Sequence, residues 1–128
     1  MEGYIKLGNQ RENSLSKPEI GETVIYIDRT NPIFGNPFRT TDKTKAERIR
    51  VIEAYKNAYS DNVERLQATE ELALRVVNGE RIRLLCWCYP KKCHGDVIIE
   101  KVKEIIRKIS PNHPSVKEDK FEWLAEIS

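Results

Sequence analysis

Cys93-His94-Gly95-Asp96, at the start of a predicted helix, brings together the side chains of this chain best suited to chemistry. The first amide N–H groups of a helix are unpaired and its dipole is positive there, which favours a thiolate. Lys91 and Lys92 lie just upstream and would strengthen the effect. Cys93 is therefore read as a nucleophile or as part of an anion cradle, with His94 and Asp96 as candidate catalytic partners. A helix terminus of this kind also suits phosphate or carboxylate groups, with Lys92 as a ligand-binding candidate. The structural alternative is that Cys93 caps and packs while Asp96 merely favours the helix start.

A second stretch, Asp28-Arg29-Thr30-Asn31-Pro32-Ile33-Phe34-Gly35-Asn36-Pro37-Phe38, holds two Asn-Pro steps and a glycine, so it can continue neither strand nor helix. Arg29 would meet anionic groups, as would Arg39, and the Asn36 amide offers both a donor and an acceptor. Phe38 and Phe34, beside Gly35 and Pro37, could stack on a ring, and Trp87 could floor the same pocket with Tyr89. All three cysteines, Cys86, Cys88 and Cys93, fall within eight residues. An odd, clustered count argues against a disulfide framework. With His94 they would make four zinc donors, but adjacent Cys93 and His94 must splay and Cys86 shares a strand face with Ile82 and Leu84. No metal or cofactor is assigned. No Ser–His–Asp arrangement, glycine-rich phosphate loop or zinc-protease motif occurs.

The elements that would position these residues follow from pattern. Thr23–Ile27 is β-branched and aromatic, and its nearly continuous apolar character fits a strand covered on both faces. Arg81–Tyr89 is another strand, and Tyr4–Leu7 a short one. Thr44 followed by Glu47 is a capping box opening a helix that runs through Tyr59. A second helix, capped at Asp61 or Asn62, carries Val63, Leu66, Ala73, Val76 and Val77 and closes at Asn78-Gly79. A third runs to Ile109 with Ile98, Val102, Ile105 and Ile109 as its stripe. The order β, β, α, α, β, α indicates an α/β fold, a small Rossmann-like three-layer domain with a mostly parallel sheet flanked by helices. It spans residues 1–110, and 111–128 form a tail with a short docked helix around Phe121–Ile127. In such sheets ligands sit beyond the carboxyl ends of parallel strands, where the Arg29–Phe38 and Cys88–Asp96 loops would converge.

Composition excludes several classes. At 128 residues there is room for one ordinary core, and 39% hydrophobic residues with a net charge of +2 argue against a disordered chain. No apolar run is long enough for a membrane span. The N-terminus lacks a secretory pattern, so a cytoplasmic setting is expected. The small charge gives no case for nucleic acid or membrane partners; a homo-oligomer stays open.

The paired motifs Tyr26-Ile27-Asp28-Arg29 with Phe34-Gly35-Asn36-Pro37-Phe38, and Leu85-Cys86-Trp87-Cys88 with Pro90 and Cys93-His94-Gly95-Asp96-Val97-Ile98, resemble the DUF4326 family of bacteria and their phages. The likeness covers roughly residues 4–109. Asp28 stands where that family commonly has Gly, and Phe34 where a Trp is often seen. A fainter likeness of Leu84-Leu85-Cys86 and Cys93-His94 to DUF488 supports only the strand–loop–helix reading. The resemblance implies a compact α/β fold and a site built from the two loops, without naming a substrate. The expected function is binding of a nucleotide or nucleotide-derived, phosphate-containing small molecule between the Arg29–Phe38 loop and the Cys93–Asp96 helix start, with hydrolysis or transfer as the chemistry if it is an enzyme. Two alternatives remain: a protein-interaction factor without catalysis, and a small zinc module using Cys86, Cys88 and Cys93.

Overall fold

The strand that comes last in sequence lies at the centre of the sheet. In a computed structural model, which describes residues 2–9, 18–39, 41–86 and 93–116, the elements run β1 (Tyr4–Asn9), β2 (Thr23–Tyr26), α1 (Lys45–Ala58), α2 (Val63–Val77), β3 (Arg81–Cys86) and α3 (His94–Ile109). A single 3-10 turn, Tyr59–Asp61, joins α1 to α2. The sheet order is β1-β3-β2, with both pairings parallel. Leu84 stands between Leu7 and Ile25, and the β2–β3 ladder continues past β2 where Ile27 N–H donates to the Leu85 carbonyl at 3.0 Å. The expected parallel sheet flanked by helices is thus the fold, and all three strands end at the same edge.

Side-chain alternation assigns the two faces. Ile5 and Leu7 of β1 and Ile82, Leu84 and Cys86 of β3 join the main apolar cluster, with Ile25 packed against it. The helical side of that cluster comes from Tyr55 of α1, Leu72, Ala73 and Val76 of α2, and Val97, Ile98, Val102 and Ile106 of α3. Since α3 packs against both α1 and α2, the three helices share one face. The described layers are therefore two, and helices on the other face, as a three-layer arrangement needs, are not among the described residues. Being an edge strand, β2 is only half-buried and Tyr26 is exposed, unlike the doubly covered strand its composition suggests.

The opposite face is held by a polar network. The Arg83 guanidinium grips Glu22 through Nε (3.0 Å) and Nη2 (2.8 Å) and donates from Nη1 to the Leu7 carbonyl at 2.9 Å. The Tyr4 hydroxyl donates to the same carboxylate. Burial works against the charged Glu22, but the Arg83 and Tyr4 bonds prevail and hold its carboxyl at about 2.

The helices depart from expectation in detail. Thr44 Oγ1 does cap α1, accepting from Glu47 N–H at 3.2 Å, but the Glu47 carboxylate takes Thr41 N–H and Arg50 instead of closing the box. On α2, Val63 and Leu66 are exposed while Arg65, Thr69, Leu72, Ala73 and Val76 are buried. On α3 the buried set is Val97, Ile98, Val102 and Ile106, with Ile105 partly covered and Ile109 exposed. Beyond α3 a helical turn at 114–116 brings Val116 into the core; the expected tail helix lies outside the described residues. No helix among the described residues is long and apolar enough to cross a membrane.

Candidate functional site

Parallel pairing of β2 with β3 places the exit of β2 beside the start of α3, and one hydrogen bond ties them. His94 Nε2 donates to the Ile27 carbonyl at 2.5 Å. A carbonyl can only accept, so Nε2 carries the proton and Nδ1 remains an unprotonated acceptor. Burial pushes the His94 pKa down; the Ile27 bond opposes this, and the charges of Arg29 and Arg65 lower it further. The ring is therefore neutral at pH 7, edge-on to Tyr55 with centroids 5.2 Å apart. Gly95 makes this approach possible. A Cβ there would lie 2.5 Å from Leu7 Cδ2 and 2.9 Å from Ile27 Cδ1.

Cys93 caps α3 from a buried position, 3% exposed. Its Sγ accepts from Gly95 N–H at 3.3 Å and lies 3.3 Å from Cys86 Sγ. The Cys86 contact and burial push the thiol well above its ordinary pKa. The helix-dipole effect that would favour a low-pKa thiolate is thus outweighed by the Cys86 contact and by burial. Asp96 completes the cap, its Oδ2 accepting from Cys93 N–H at 3.0 Å. With Gly95 N–H engaged by sulfur and a carboxylate in the first turn, this helix start is capped from within rather than left open as an anion cradle.

The β2 exit loop is organised by its asparagines. Asn31 Oδ1 accepts from Ile33 and Phe34 N–H, both at 2.9 Å, while its Nδ2 donates to the Tyr26 carbonyl at 2.9 Å. Asn36 has a similar task. Its Oδ1 accepts from Phe38 N–H at 2.9 Å and its Nδ2 donates to the Val51 carbonyl of α1 at 3.2 Å, so both ends of the amide are engaged within the protein. Gly35 is required because a Cβ would fall 2.5 Å from the Asn31 carbonyl and 2.6 Å from that of Asp28. Phe34 is buried in the core and is not available to stack on a ligand; Phe38 is partly buried against that core. Pro37 and Arg29 are exposed. Trp87, Cys88 and Lys92 lie outside the described residues. Among the described residues no group of three or more metal-capable side chains comes together, though Cys86 and Cys93 do meet.

Arg65 is the residue that sequence reasoning passed over. It is 6% exposed, donates from Nε to the Ile33 carbonyl at 2.9 Å, and lies over the Tyr55 ring with Cζ 4.9 Å from its centroid. Tyr55 in turn donates to the Phe34 carbonyl at 2.8 Å, so α1 and α2 both brace the loop. The signal was available: positions 65, 69, 72, 73 and 76 form a helical stripe, and a charged residue on a stripe that is otherwise small and apolar calls for a partner.

Taken together, the loop offers the Arg29 guanidinium and a half-buried aromatic, α2 the Arg65 guanidinium, and α3 a neutral imidazole with one acceptor nitrogen, near the carboxyl edge of a parallel sheet. The model of the DUF4326 family, a domain of unknown function, matches residues 9–104, about three quarters of the 128 residues. The chain belongs to that family. No curated protein and no solved structure matches it.

Proposed function

We propose that this DUF4326 protein binds a phosphate-containing small molecule of the nucleotide class between the Arg29–Phe38 loop and the start of α3. The observation that carries the reading is the docking of His94 on the Ile27 carbonyl, which joins the two loops beyond the strand ends where Rossmann-like sheets take their ligands. Arg29 and Arg65 supply positive charge beside it, felt by His94. Phe38, half-buried at the loop's end, offers a ring for a base. Should the ligand be turned over, His94 Nδ1 is the group fitted to accept a proton. Cys93, as a buried thiol, fits the role of cap better than that of nucleophile.

A thermal-shift screen of the full chain tests this, using nucleotides, pyrophosphate and divalent metals on wild type and Arg29→Ala. A ligand at 100 times its dissociation constant adds about 2.7 kcal/mol to the native state, several degrees for this size. The expected result is a shift with a phosphate compound that shrinks in Arg29→Ala, whose exposed side chain is expendable for folding. Silence with every phosphate compound would sink the proposal. A response to zinc alone would instead favour a metal role for the Cys86–Cys93 pair.

A further inference from the structure

No carboxylate among the described residues pairs with the positive charge of Arg65. Ion pairs among the described residues join Arg50 to Glu47, Lys56 to Glu100, Arg75 to Glu80 and Arg83 to Glu22, and Arg65 belongs to none of them. Its Nε is satisfied by the Ile33 carbonyl, whereas its two Nη groups meet no acceptor among the described residues. Tyr55 and Tyr59 offer their ring faces, with Cζ 4.9 and 5.5 Å from the centroids. Ring faces attract a cation but accept no in-plane N–H bonds, so they offset only part of the loss of water. A guanidinium that is nine-tenths buried and lacks a carboxylate is costly, and an arrangement of this kind is explained when an anion completes it.

We infer that Arg65 is an oxyanion-binding residue of this site, its Nη edge taking the phosphate of the ligand beside the Asn31–Gly35 turn. The inference rests on the ligand reading above and moves its anionic subsite away from the α3 start, where Cys93 and Asp96 already fill the cap. The planar fork suits a tetrahedral oxyanion through two parallel bonds, and the Ile33 carbonyl and the tyrosine rings fix its orientation beforehand. Arg29, exposed at the same loop's entrance, would steer the anion in, while Arg65 would hold it.

The test is calorimetric titration of the full chain with inorganic phosphate, pyrophosphate and a nucleoside monophosphate, with the uncharged nucleoside as control. Wild type is compared with Arg65→Met and Arg65→Lys. Loss of a charge-assisted bond predicts about 10- to 100-fold weaker binding of the phosphate probes in Arg65→Met. Arg65→Lys, which keeps the charge but not the fork, should be weakened less, and it preserves the test if the methionine variant does not fold. Unchanged affinity in a folded variant of either kind would overturn the assignment of Arg65 while leaving the ligand reading intact. No binding of any phosphate probe to wild type would overturn both.

Discussion

The Glu22–Arg83 pair, on the sheet face away from the helices, should be a main source of the acid sensitivity of this fold. Glu22 is held at about 2, against an ordinary value of 4.5, although burial alone would have raised it. A carboxyl whose folded pKa is depressed contributes stability that is complete above its unfolded pKa and is lost as pH falls toward the folded one. The full difference corresponds to about 3 kcal/mol at neutral pH. Both side chains are shielded from water, Glu22 fully and Arg83 at 12% exposed, but a glutamine that keeps an acceptor for Arg83 recovers part of the difference, so about 2 kcal/mol is the better expectation. Glu22→Gln removes the titration while keeping the shape and an acceptor for Arg83. Urea unfolding of wild type and variant between pH 7 and 2 should show a gap of about 2 kcal/mol at pH 7. That gap should halve by about pH 3, since roughly half the linkage is gone there. Comparing the two proteins removes contributions common to both, including those of Glu80 and His94. Parallel curves down to pH 3 would refute the reasoning and mean that Glu22 is not ionised against Arg83 in the way its geometry indicates.

Two further outcomes bear on the site itself. Gly95→Ala forces a methyl against Leu7 and Ile27, and overpacking of about 1–3 kcal/mol exceeds the helix-propensity gain of up to about 1 kcal/mol; denaturant unfolding should show net destabilisation, and a variant as stable as wild type would show that α3 does not press on the strand ends. His94 should titrate below 6.5 in the ligand-free protein, so its neutral form contributes stability that is present above pH 6.5 and falls away as pH drops below it. Imidazole NMR should also show that pKa rising when phosphate is added, because an anion would cancel the field of Arg29 and Arg65; a His94 pKa at or above 6.5 without ligand would contradict the placement.

Local pattern was enough for the elements whose signal is one-dimensional. Arg81–Leu84 alternates, Thr44 and the Asp61-Asn62 pair announce their helices, and Ile98 and Val102 mark the correct side of α3. The misses share a cause. Val63 and Leu66 look like core because they are apolar, yet α2 turns its Arg65 and Thr69 inward, where Tyr59 and Thr69 share a hydroxyl bond of 2.6 Å and Arg65 finds the tyrosine rings. Polar burial of this sort depends on partners from α1 and the 3-10 turn after it, which no window along α2 contains. The same limit applies to the loops. The approach of the β2 exit to the α3 start was inferable from parallel topology, but the engagement of Asn36 with Val51 and of Asp96 with its own cap emerges only when the backbone is folded around them. Cys93 shows competing effects of known sign: the helix start favours a thiolate, while the neighbouring Cys86 sulfur first and burial second disfavour it and prevail.

The central position of β3 also sets the order in which this protein can come into being. More than seventy residues separate Tyr4 from its partner Arg81, and nearly sixty separate Thr23 from Ile82, while β1 and β2 do not pair with each other. A nascent chain that has reached Glu80 therefore has two strands with nothing between them, and only the α1–α2 hairpin to lean on. Loop closure across such spans makes sheet formation slow compared with helix formation. Synthesis of six residues, Arg81 to Cys86, converts that open precursor into a sheet, and α3 follows immediately to cover it. The His94–Ile27 bond needs both α3 and the β2 exit in place, so the candidate site is assembled with the core rather than added to a finished scaffold.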